Sequence, residues 1–287
     1  MKLFNKNEHQ LIFGDAIQVL SSNLIPDHTV DLIFIDPPYN IGKNFNGFMD
    51  KWPSDEEYLN WCYQWLELCI RKLSSRGSMY VMTSTQFMPY FDIFLRNKIE
   101  ILSRIIWYYD SSGVQAKKYY GSIYEPILFC VKDKNNYIFN SKEILVEAKT
   151  GSIRKLIDYR KKIPTVYNSQ KVPGNVWEIN RVRYRMPEYE NHPTQKPIAL
   201  LERIIKASSN PDSVVLDPFS GTFTTSYVAQ SLNRRSVGIE INEEYIKIGL
   251  RRLNIQQNYN GIKLEREIRN FEINNTPNNN LNLFEVL

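Results

Sequence analysis

Cysteine, histidine and long apolar runs are all scarce in this sequence of 287 residues. Its three cysteines, Cys62, Cys69 and Cys130, form no metal-binding pair and leave one thiol over in any disulfide scheme. No run of about 18 uncharged apolar residues occurs, which argues against a membrane-spanning helix. The first ten residues lack the apolar core of a signal peptide. His9 and His28 belong to no ligand-like cluster. These absences predict a cytoplasmic protein with buried, inert thiols and no metal.

Positive charge is concentrated in one part of the chain. The formal net charge is +5, and residues 151–190 alone carry nine basic against four acidic side chains, an excess of five. Such an excess is typical of a surface that follows a phosphate backbone, although a solvated basic face would have the same composition. The basic residues are Arg154, Lys155, Arg160, Lys161, Lys162, Lys171, Arg181, Arg183 and Arg185, and the acidic ones are Asp158, Glu178, Glu188 and Glu190.

Short apolar runs alternate with segments of helical periodicity along most of the chain. The spacing of apolar residues predicts helices over 55–73, 198–207 and 243–253. Because strands and helices alternate, we expect an α/β fold with a mostly parallel sheet and helices on both of its faces. Residues 132–190 break this alternation. The runs predicted as strands are 31–35, 79–83, 105–109, 127–131, 214–216 and 236–239.

The first predicted strand runs directly into Asp36-Pro37-Pro38-Tyr39. Prolines lack the amide proton that a sheet needs, so the chain must leave the sheet at the carboxyl end of this strand. Open α/β sheets bind their ligands at that end. Asp36 and the Pro37 carbonyl can both accept hydrogens from one NH₂ group, and Tyr39 offers an aromatic face to a planar ring. An ordinary turn with a surface tyrosine is the alternative.

Residues 214–242 have the pattern of a strand, a tight turn, a helix and a second strand. Gly221 permits close approach to the backbone. Glu240 follows nineteen positions later, at the end of the second strand, where an acid can hold the hydroxyl groups of a ribose. A nicotinamide dehydrogenase has a similar pattern but needs three glycines in this loop, which has one. The pattern therefore favours a nucleoside without a pyrophosphate.

Three motifs occur together in one order: DPPY at 36–39, HPTQKP at 192–197 and DPFSG at 217–221. In this combination the sequence resembles the β-class amino DNA methyltransferases over about residues 9–254. Within that family it is most like bacterial adenine-N6 methylases, including those acting on ATGCAT, in the stretches DPPYNIGKNF, YYDSSGVQAKK, VPGNVW and ENHPTQKP. The resemblance implies a Rossmann-like S-adenosylmethionine-dependent methyltransferase fold with a permuted motif order.

The resemblance also implies a domain organisation and partners. Residues 1–131 would form the catalytic half of the methyltransferase domain, 132–190 an inserted DNA target-recognition region, and 191–254 the cofactor-binding half. The Asn-rich tail 255–287 is expected to be poorly ordered. Double-stranded DNA is the implied partner, in a bacterial cytoplasm with association to the nucleoid through DNA. A homodimer and a cognate restriction endonuclease are left open.

Residue roles follow from the resemblance where the motifs match. Asp36, Pro37, Pro38 and Tyr39 would be the catalytic turn that holds the target base. Asp15 would lie near the adenine of the cofactor, and the HPTQKP segment would close over its methionine end. S-adenosylmethionine would be bound by Asp15, Asp36, Thr194, Lys196, Asp217, Phe219, Gly221, Thr222, Glu240 and Asn242.

Phe223 is a departure from the family pattern. Many relatives have GSGTT in the cofactor loop, whereas residues 221–225 are GTFTT here. We therefore expect the loop to pack differently around this ring, with an effect on cofactor affinity. His192 is expected to be a structural or cofactor-loop residue rather than a general base.

DNA contacts are expected from Lys117, Lys118, Arg181, Arg183 and Arg185. The alternation of the three arginines would place them on one face of an extended segment. Trp177 and Tyr184 lie among the basic residues, and contact with DNA and packing inside the recognition region are equally consistent with their positions.

The chemistry implied is direct transfer of a methyl group to an exocyclic amino nitrogen. Cytosine N4 is the main alternative to adenine N6, and a first aspartate in DPPY favours adenine because the cytosine enzymes more often have serine there. Methylation of a protein glutamine uses a similar turn, but the basic segment argues against it. Cytosine-C5 methylation needs a cysteine nucleophile beside a motif strand, which is absent. The single-glycine loop disfavours a nicotinamide oxidoreductase, and an intact DPPY disfavours a non-catalytic DNA-binding protein.

Overall fold

The computed structural model of the protein describes residues 1–110, 117–149 and 156–266. The helices are α1 Ala16–Ser21, α2 Asp55–Lys72, α3 Met88–Leu95, α4 Ile198–Ser208, α5 Thr224–Ser231 and α6 Glu243–Arg252, with a 3-10 turn at Ser141–Ile144. The strands are β1 Lys2–Lys6, β2 His9–Phe13, β3 Val30–Ile35, β4 Lys43–Phe45, β5 Phe48–Asp50, β6 Leu73–Met82, β7 Glu100–Tyr108, β8 Tyr124–Val131, β9 Val146–Glu147, β10 Ile157–Asp158, β11 Thr165–Val166, β12 Gln170–Lys171, β13 Val176–Glu178, β14 Val214–Asp217, β15 Arg235–Glu240, β16 Asn258–Tyr259 and β17 Ile262–Lys263.

Nine of these strands form one sheet in the order β1-β2-β15-β14-β3-β6-β8-β7-β13. From β2 to β6 the neighbours are parallel. Strand β8 runs antiparallel to both β6 and β7. Side chains along β3 alternate between two apolar clusters: Ile33 and Ile35 pack on the side of α1, α2 and α3, and Leu32 and Phe34 on the side of α4 and α5. The period of two in a strand explains this alternation, and it confirms a sheet covered on both faces.

Helix α2 shows how the sequence directs one of these layers. Ser54 caps its first turn by accepting from the Glu57 amide at 3.1 Å, and three acidic residues there complement the positive end of the helix. Buried side chains at helical spacing face the sheet, namely Tyr58, Leu59, Cys62, Trp65, Leu66, Cys69 and Lys72. The capping residues and the apolar stripe therefore both favour a helix over the same residues.

All six predicted strands and all three predicted helices are present, with ends shifted by a few residues. Strands β1 and β2, helices α1 and α3, and the strands of two or three residues were not predicted. Strand β1 lies at the sheet edge with four of its five residues exposed, so it carries no alternating apolar pattern. Helices α1 and α3 have only six and eight residues, which is too short for helical periodicity to be visible.

The region predicted as an inserted module contributes to the main sheet. Strand β13 pairs in parallel with β7, and Trp177 on this strand is buried. Its indole nitrogen donates to the Gly174 carbonyl at 2.8 Å. Trp177 is therefore a packing residue, while Tyr184 is partly exposed. The pairs β9–β12 and β10–β11 occupy other parts of this region.

The tail predicted to be poorly ordered from residue 255 is ordered as far as residue 266. It forms the hairpin β16–β17, whose Tyr259 is buried in an apolar cluster with Leu11 and Leu253. A buried aromatic ring gives this hairpin the apolar anchor that the asparagine-rich composition hides. The rest of the predicted tail lies outside the described residues. Among the described helices, none has the length and apolar character needed to cross a membrane.

Candidate active site

A cavity of about 470 Å³ lies at the edge of the sheet where β2, β3, β14 and β15 end. These strands are parallel neighbours, so their carboxyl ends meet at the same edge. The cavity is lined by every residue predicted to belong to the catalytic turn or to bind the cofactor: Asp15, Asp36, Pro37, Pro38, Tyr39, Thr194, Lys196, Asp217, Phe219, Gly221, Thr222, Glu240 and Asn242.

The turn after β3 is held from both sides. The hydroxyl of Tyr58 in α2 donates to the Pro38 carbonyl at 2.7 Å. The amide of Tyr39 donates to Asp50 Oδ2 at 3.1 Å, and the Trp52 amide donates to the side chain of Asn40 at 2.9 Å. Two prolines and these anchors fix the direction in which Asp36 and Tyr39 leave the strand.

Asp36 belongs to a buried cluster of charged and hydroxyl groups. Lys196 Nζ lies 2.6 Å from Asp36 Oδ2 and 3.5 Å from Glu125 Oε2. The Tyr39 hydroxyl lies 2.6 Å from Asp36 Oδ1 and 3.0 Å from Glu125 Oε2, and the Tyr109 hydroxyl donates to Glu125 Oε1 at 3.2 Å. One lysine thus stands between two carboxylates at the edge of the cavity. We call these three residues the Asp36–Lys196–Glu125 cluster.

Two members of this network, Glu125 and Tyr109, were not predicted. Strand β8 is antiparallel to β6, so it begins at the edge where the parallel strands end, and its second residue, Glu125, enters the site. The end of β7 brings Tyr109 to the same edge, since Trp107 pairs with Glu125. A lone acid before an apolar run carries no periodic signal. It could have been found only if the direction of β8 had been known.

Burial and charge oppose each other in this cluster. Burial raises the pKa of Asp36, and Lys196 offsets part of this shift while Glu125 adds to it. Burial lowers the pKa of Lys196, but the two carboxylates outweigh burial and the net shift is upward. Burial, with both carboxylates nearby, raises the pKa of the Tyr39 hydroxyl well above its ordinary value. The lysine therefore carries its proton at neutral pH and Tyr39 keeps its hydroxyl hydrogen.

Two further carboxylates line the other part of the cavity. Glu240, at the end of β15, accepts from the amides of Gly221 and Asn242, both at 2.7 Å. Asp217, at the end of β14, accepts from the Phe219 amide at 3.0 Å and from the Thr225 hydroxyl at 2.5 Å. Burial raises the pKa of each carboxyl to about 7, against the hydrogen bonds that both accept. The upward effect of desolvation on each pKa is thus larger than the downward effect of the hydrogen bonds that the carboxylate accepts.

Phe223 does not enter the cavity. It has a left-handed backbone with φ +57°, and its fully buried side chain packs with Leu11, Ile246 and Leu250. The ring points into the core behind the loop, while Gly221, also at positive φ, faces the cavity.

The cavity suits a cationic nucleoside such as S-adenosylmethionine. Glu240 can accept from ribose hydroxyls, and Asp217 can accept from an ammonium group. Trp52, Trp61 and Phe219 form an aromatic wall for a planar ring, with Trp61 centred 4.8 Å from Trp52 and 5.6 Å from Phe219. The hydroxyl of Tyr245 is buried on the cavity wall without a partner among the described residues. An unpartnered buried hydroxyl fits a site built to bond a ligand.

His192 is packed rather than poised for proton transfer. Its ring lies 4.5 Å from that of Tyr245, and the Thr194 amide donates to Nδ1 at 3.2 Å. Burial, with nearby Lys196 and Lys43, lowers its pKa to about 3. A neutral imidazole that accepts a backbone hydrogen bond supports a structural position in the loop. Within the described ranges, no three His, Cys, Asp or Glu side chains are grouped so that they could hold a metal ion.

The hairpin β4–β5, which the sequence analysis did not predict, covers part of the cavity. Its Phe45 carbonyl accepts from the Asn242 side chain at 3.1 Å, and Lys43 donates to the Pro193 carbonyl at 3.3 Å. Asp50 at its end holds the Tyr39 amide. These polar contacts link the DPPY turn to Pro193 and to Asn242 on the other side of the cavity.

The five residues predicted to contact DNA are all exposed, but only Arg181 lines the cavity. Its guanidinium lies 5.0 Å from the centre of the Tyr109 ring. Arg183 donates to the Asp110 carbonyl at 3.2 Å. The expectation that the three arginines share one face of an extended segment is wrong, because Arg185 lies in a turn with φ +71°. Lys117 and Lys118 lie on a separate exposed segment.

Known proteins resemble this chain in sequence over most of its length. The profile of the DNA methylase family N6_N4_Mtase matches residues 30–251. The DNA adenine methyltransferase YhdJ of Escherichia coli (strain K12) is 58% identical over 263 residues, which cover 92% of this chain and 88% of the relative. The type II methyltransferase M.HpaI of Haemophilus parainfluenzae is 35% identical, with 88% of this chain and 76% of that protein covered.

Solved structures agree with the fold. The M1.HpyAVI–SAM complex is similar with a TM-score of 0.58 and 25% identity, covering 86% of this chain and 99% of that one. The PvuII DNA methyltransferase, described as cytosine-N4-specific, superposes with a TM-score of 0.66 at 17% identity, covering 90% and 89%. The expected Rossmann-like methyltransferase fold is therefore confirmed. With the motifs gathered in one cavity and the family profile matching most of its length, the chain belongs to the N6_N4_Mtase family of DNA methylases.

Proposed function

We propose that this DNA methylase transfers a methyl group from S-adenosylmethionine to N6 of an adenine flipped out of double-stranded DNA. The observation that carries the proposal is the position of Asp36. Its carboxylate, at the end of β3, faces the same cavity as Glu240 and Asp217. The name of the relative at 58% identity, a DNA adenine methyltransferase, supports the same base.

Some residues of the chain would bind the cofactor, and others would position the target base. Glu240 and the Gly221 loop would hold the ribose, Asp217 the ammonium group, and the aromatic wall the planar ring. When bound, S-adenosylmethionine supplies an electrophilic sulfonium methyl group. Catalysis then depends on how the chain orients the amino nitrogen that attacks this methyl, so positioning and electrostatics dominate.

Asp36 and the Pro37 carbonyl would orient the amino group. The lone pair of an exocyclic amine is delocalised into the ring, which makes the nitrogen a poor nucleophile. Accepting both amino hydrogens favours a more tetrahedral nitrogen whose lone pair points at the methyl group. The nitrogen sheds one of these protons after it gains the methyl, and the Asp36 carboxylate, with its raised pKa, can receive it.

A duplex base must leave the stack to reach this cavity. Flipping costs about a few kcal/mol, and stacking on an aromatic ring returns about 1–3 kcal/mol. Tyr39 is the aromatic residue of the catalytic turn, and its hydroxyl is anchored at Asp36. A ring fixed at its far end gives the incoming base a rigid surface, which supports the stacking role.

Finer points of the function belong to the same proposal. Residues 132–190, with Arg181 at the rim of the cavity, would read the target sequence, and ATGCAT is the site that the motif likeness suggests. A homodimer and a restriction endonuclease partner would fit a relative named as a type II methyltransferase. Cytosine N4 is the alternative target, since the same fold serves the PvuII enzyme.

Product analysis tests the proposal. The chain is incubated with methyl-labelled S-adenosylmethionine and duplex DNA, the DNA is digested to nucleosides, and mass spectrometry identifies the methylated one. We expect N6-methyladenine, and duplexes with and without ATGCAT resolve the site. N4-methylcytosine as the sole product would replace the adenine assignment, and the absence of label in DNA would reject the function.

A further inference from the structure

The Asp36 carboxylate is already engaged in the structure. Lys196 contacts Oδ2 and the Tyr39 hydroxyl contacts Oδ1, each at 2.6 Å. Under the proposed function this carboxylate must also accept a hydrogen from the target amino group. An ammonium group at this distance neutralises much of the negative charge that makes a carboxylate a strong acceptor. A second acceptor that took Lys196 and Tyr39 would restore the full acceptor strength of Asp36 when the base arrives.

Glu125 is placed to take both. Its Oε2 atom lies 3.0 Å from the Tyr39 hydroxyl and 3.5 Å from Lys196 Nζ. A lysine ammonium has three hydrogens on a flexible stem, so a small movement of Nζ would exchange one carboxylate for the other. Tyr39 needs only a rotation of its hydroxyl hydrogen.

The backbone of Glu125 is held firmly while these donors move. Strand β8 is paired with β6 from Ile127 onward and with β7 as far as Tyr124, so Glu125 itself is opposite Trp107. The Tyr109 hydroxyl donates to the other carboxylate oxygen, Oε1, at 3.2 Å. Glu125 is therefore a fixed acceptor beside two donors that can change partner.

We propose that Glu125 is a positioning residue for methyl transfer, which takes over the Lys196 ammonium and the Tyr39 hydroxyl when the target amino group reaches Asp36. The inference rests on the proposed function. Glu125 acts through Lys196 and Tyr39, and it forms no bond to the methyl group or to the base. Its negative charge is the property that matters, because only a charged partner can compete with Asp36 for a buried ammonium.

Substitution of Glu125→Gln tests the charge while keeping the shape of the side chain. With glutamine, Lys196 stays on Asp36, so we expect the single-turnover rate at saturating cofactor and DNA to fall by roughly 10- to 100-fold. The dissociation constants for S-adenosylmethionine and for DNA should remain within about twofold, since uniform binding is untouched. Glu125→Asp keeps the charge and should recover part of the rate.

The ionisation of Asp36 gives a second readout that does not depend on activity. The groups facing this carboxylate are Lys196, Glu125, Tyr39 and Asp217. Removing the Glu125 charge leaves Lys196 as the dominant neighbour, so Asp36 should titrate at a lower pH in Glu125→Gln. Carbon-13 NMR of labelled aspartate carboxyls measures this, with Asp36→Asn for assignment. The acidic limb of the rate profile should move in the same direction.

Glu100→Gln is a matched control, because Glu100 lies on neighbouring β7 as an exposed partner of Lys134. It should behave as wild type. A wild-type rate in Glu125→Gln would overturn the proposal, as would an unmoved Asp36 titration. So would a loss of cofactor or DNA affinity as large as the loss of rate, which would make Glu125 a structural residue. If the wild-type chain methylated no base, the proposed function would fail, while the titration would still test the contact.

Discussion

Phe223 occupies the space that a side chain at Gly249 would need. A methyl group placed on Gly249 would overlap the Phe223 ring, and one on Gly238 would meet the same ring. The Phe223 ring therefore packs between α6 and β15, behind the cofactor loop. This packing explains how the loop can carry a phenylalanine without filling the cavity.

Replacing Phe223→Ala should destabilise the fold more than it affects the site. Loss of a fully buried aromatic ring costs about 3–5 kcal/mol, which urea unfolding would measure. Cofactor affinity by calorimetry should change by no more than about twofold, because the Phe223 ring does not line the cavity. Tyr227→Ala, which removes a partly exposed ring from α5, the helix that follows Phe223, is the control. A large loss of affinity would show that the ring supports the loop directly.

Asp36→Ala should abolish methyl transfer and leave the protein folded. Asp36 lies at a strand end, outside the apolar clusters, and its partner Lys196 retains Glu125 as a counter-ion. Label incorporation into DNA measures the loss, and circular dichroism checks the fold. Asp31→Ala, which removes an acid at the other end of β3, is the comparison for structural effects. Turnover near the wild-type level in Asp36→Ala would end the role assigned to the catalytic turn.

Glu240→Ala should weaken the binding of S-adenosylmethionine more than that of DNA. A charge-assisted hydrogen bond to a ribose hydroxyl contributes about 1.5–3 kcal/mol, a loss of roughly 10- to 150-fold in affinity at 1.4 kcal/mol per tenfold. Calorimetric titration of the cofactor and fluorescence titration of a duplex give the two affinities. Equal affinity for the cofactor before and after substitution would refute the ribose contact.

The same carboxyl should make the ligand-free protein less stable as the pH rises. The folded-state pKa of Glu240 is raised to about 7 from its ordinary 4.5, so its contribution is present below pH 4.5 and is lost through about pH 7. Glu240→Gln removes this dependence. The free energy of unfolding of this variant minus that of the wild type should therefore be larger at pH 8 than at pH 5. No change in this difference between the two pH values would contradict the shift.

Arginine substitutions should separate reading of the sequence from contact with phosphate. Arg181→Ala, at the cavity rim, should relax discrimination at one base pair by about 1–3 kcal/mol. Arg183→Ala and Arg185→Ala should weaken binding to all duplexes alike and reduce the salt slope by about one unit each. Binding to cognate and single-mismatch duplexes across salt concentrations measures both effects, with Lys134→Ala as a distant control. If none of the arginines matters, recognition lies in the hairpin β4–β5.

The parts of the site that could be predicted from the sequence are those in which a periodic strand is followed directly by a reactive side chain. The DPPY turn, Glu240 and the strands that carry them were predictable because a strand, a breaking residue and a polar side chain follow one another in the chain. Every residue assigned to the catalytic turn or the cofactor lines one cavity, although their individual roles remain predictions.

Residues whose position depends on strand direction or on long-range packing could not be predicted from the sequence. Glu125 enters the site only because β8 runs antiparallel, and nothing local in the chain reports that direction. The inward orientation of Phe223 depends on the absence of side chains at two distant glycines. Arg185 left the expected face because the chain turns at Tyr184 and Arg185, a turn that Pro187 two residues later did not reveal.

Strands β3 and β14 are hydrogen-bonded neighbours, although the whole recognition region separates them along the chain. Each is followed by a turn that lines the cavity, so the two turns meet through lateral pairing of the strands and not through their order in the chain. The sheet would accept either turn first, provided both strands reach their places. Two fragments divided in the exposed turn at residues 133–136, each inactive alone, should therefore restore methylation when mixed.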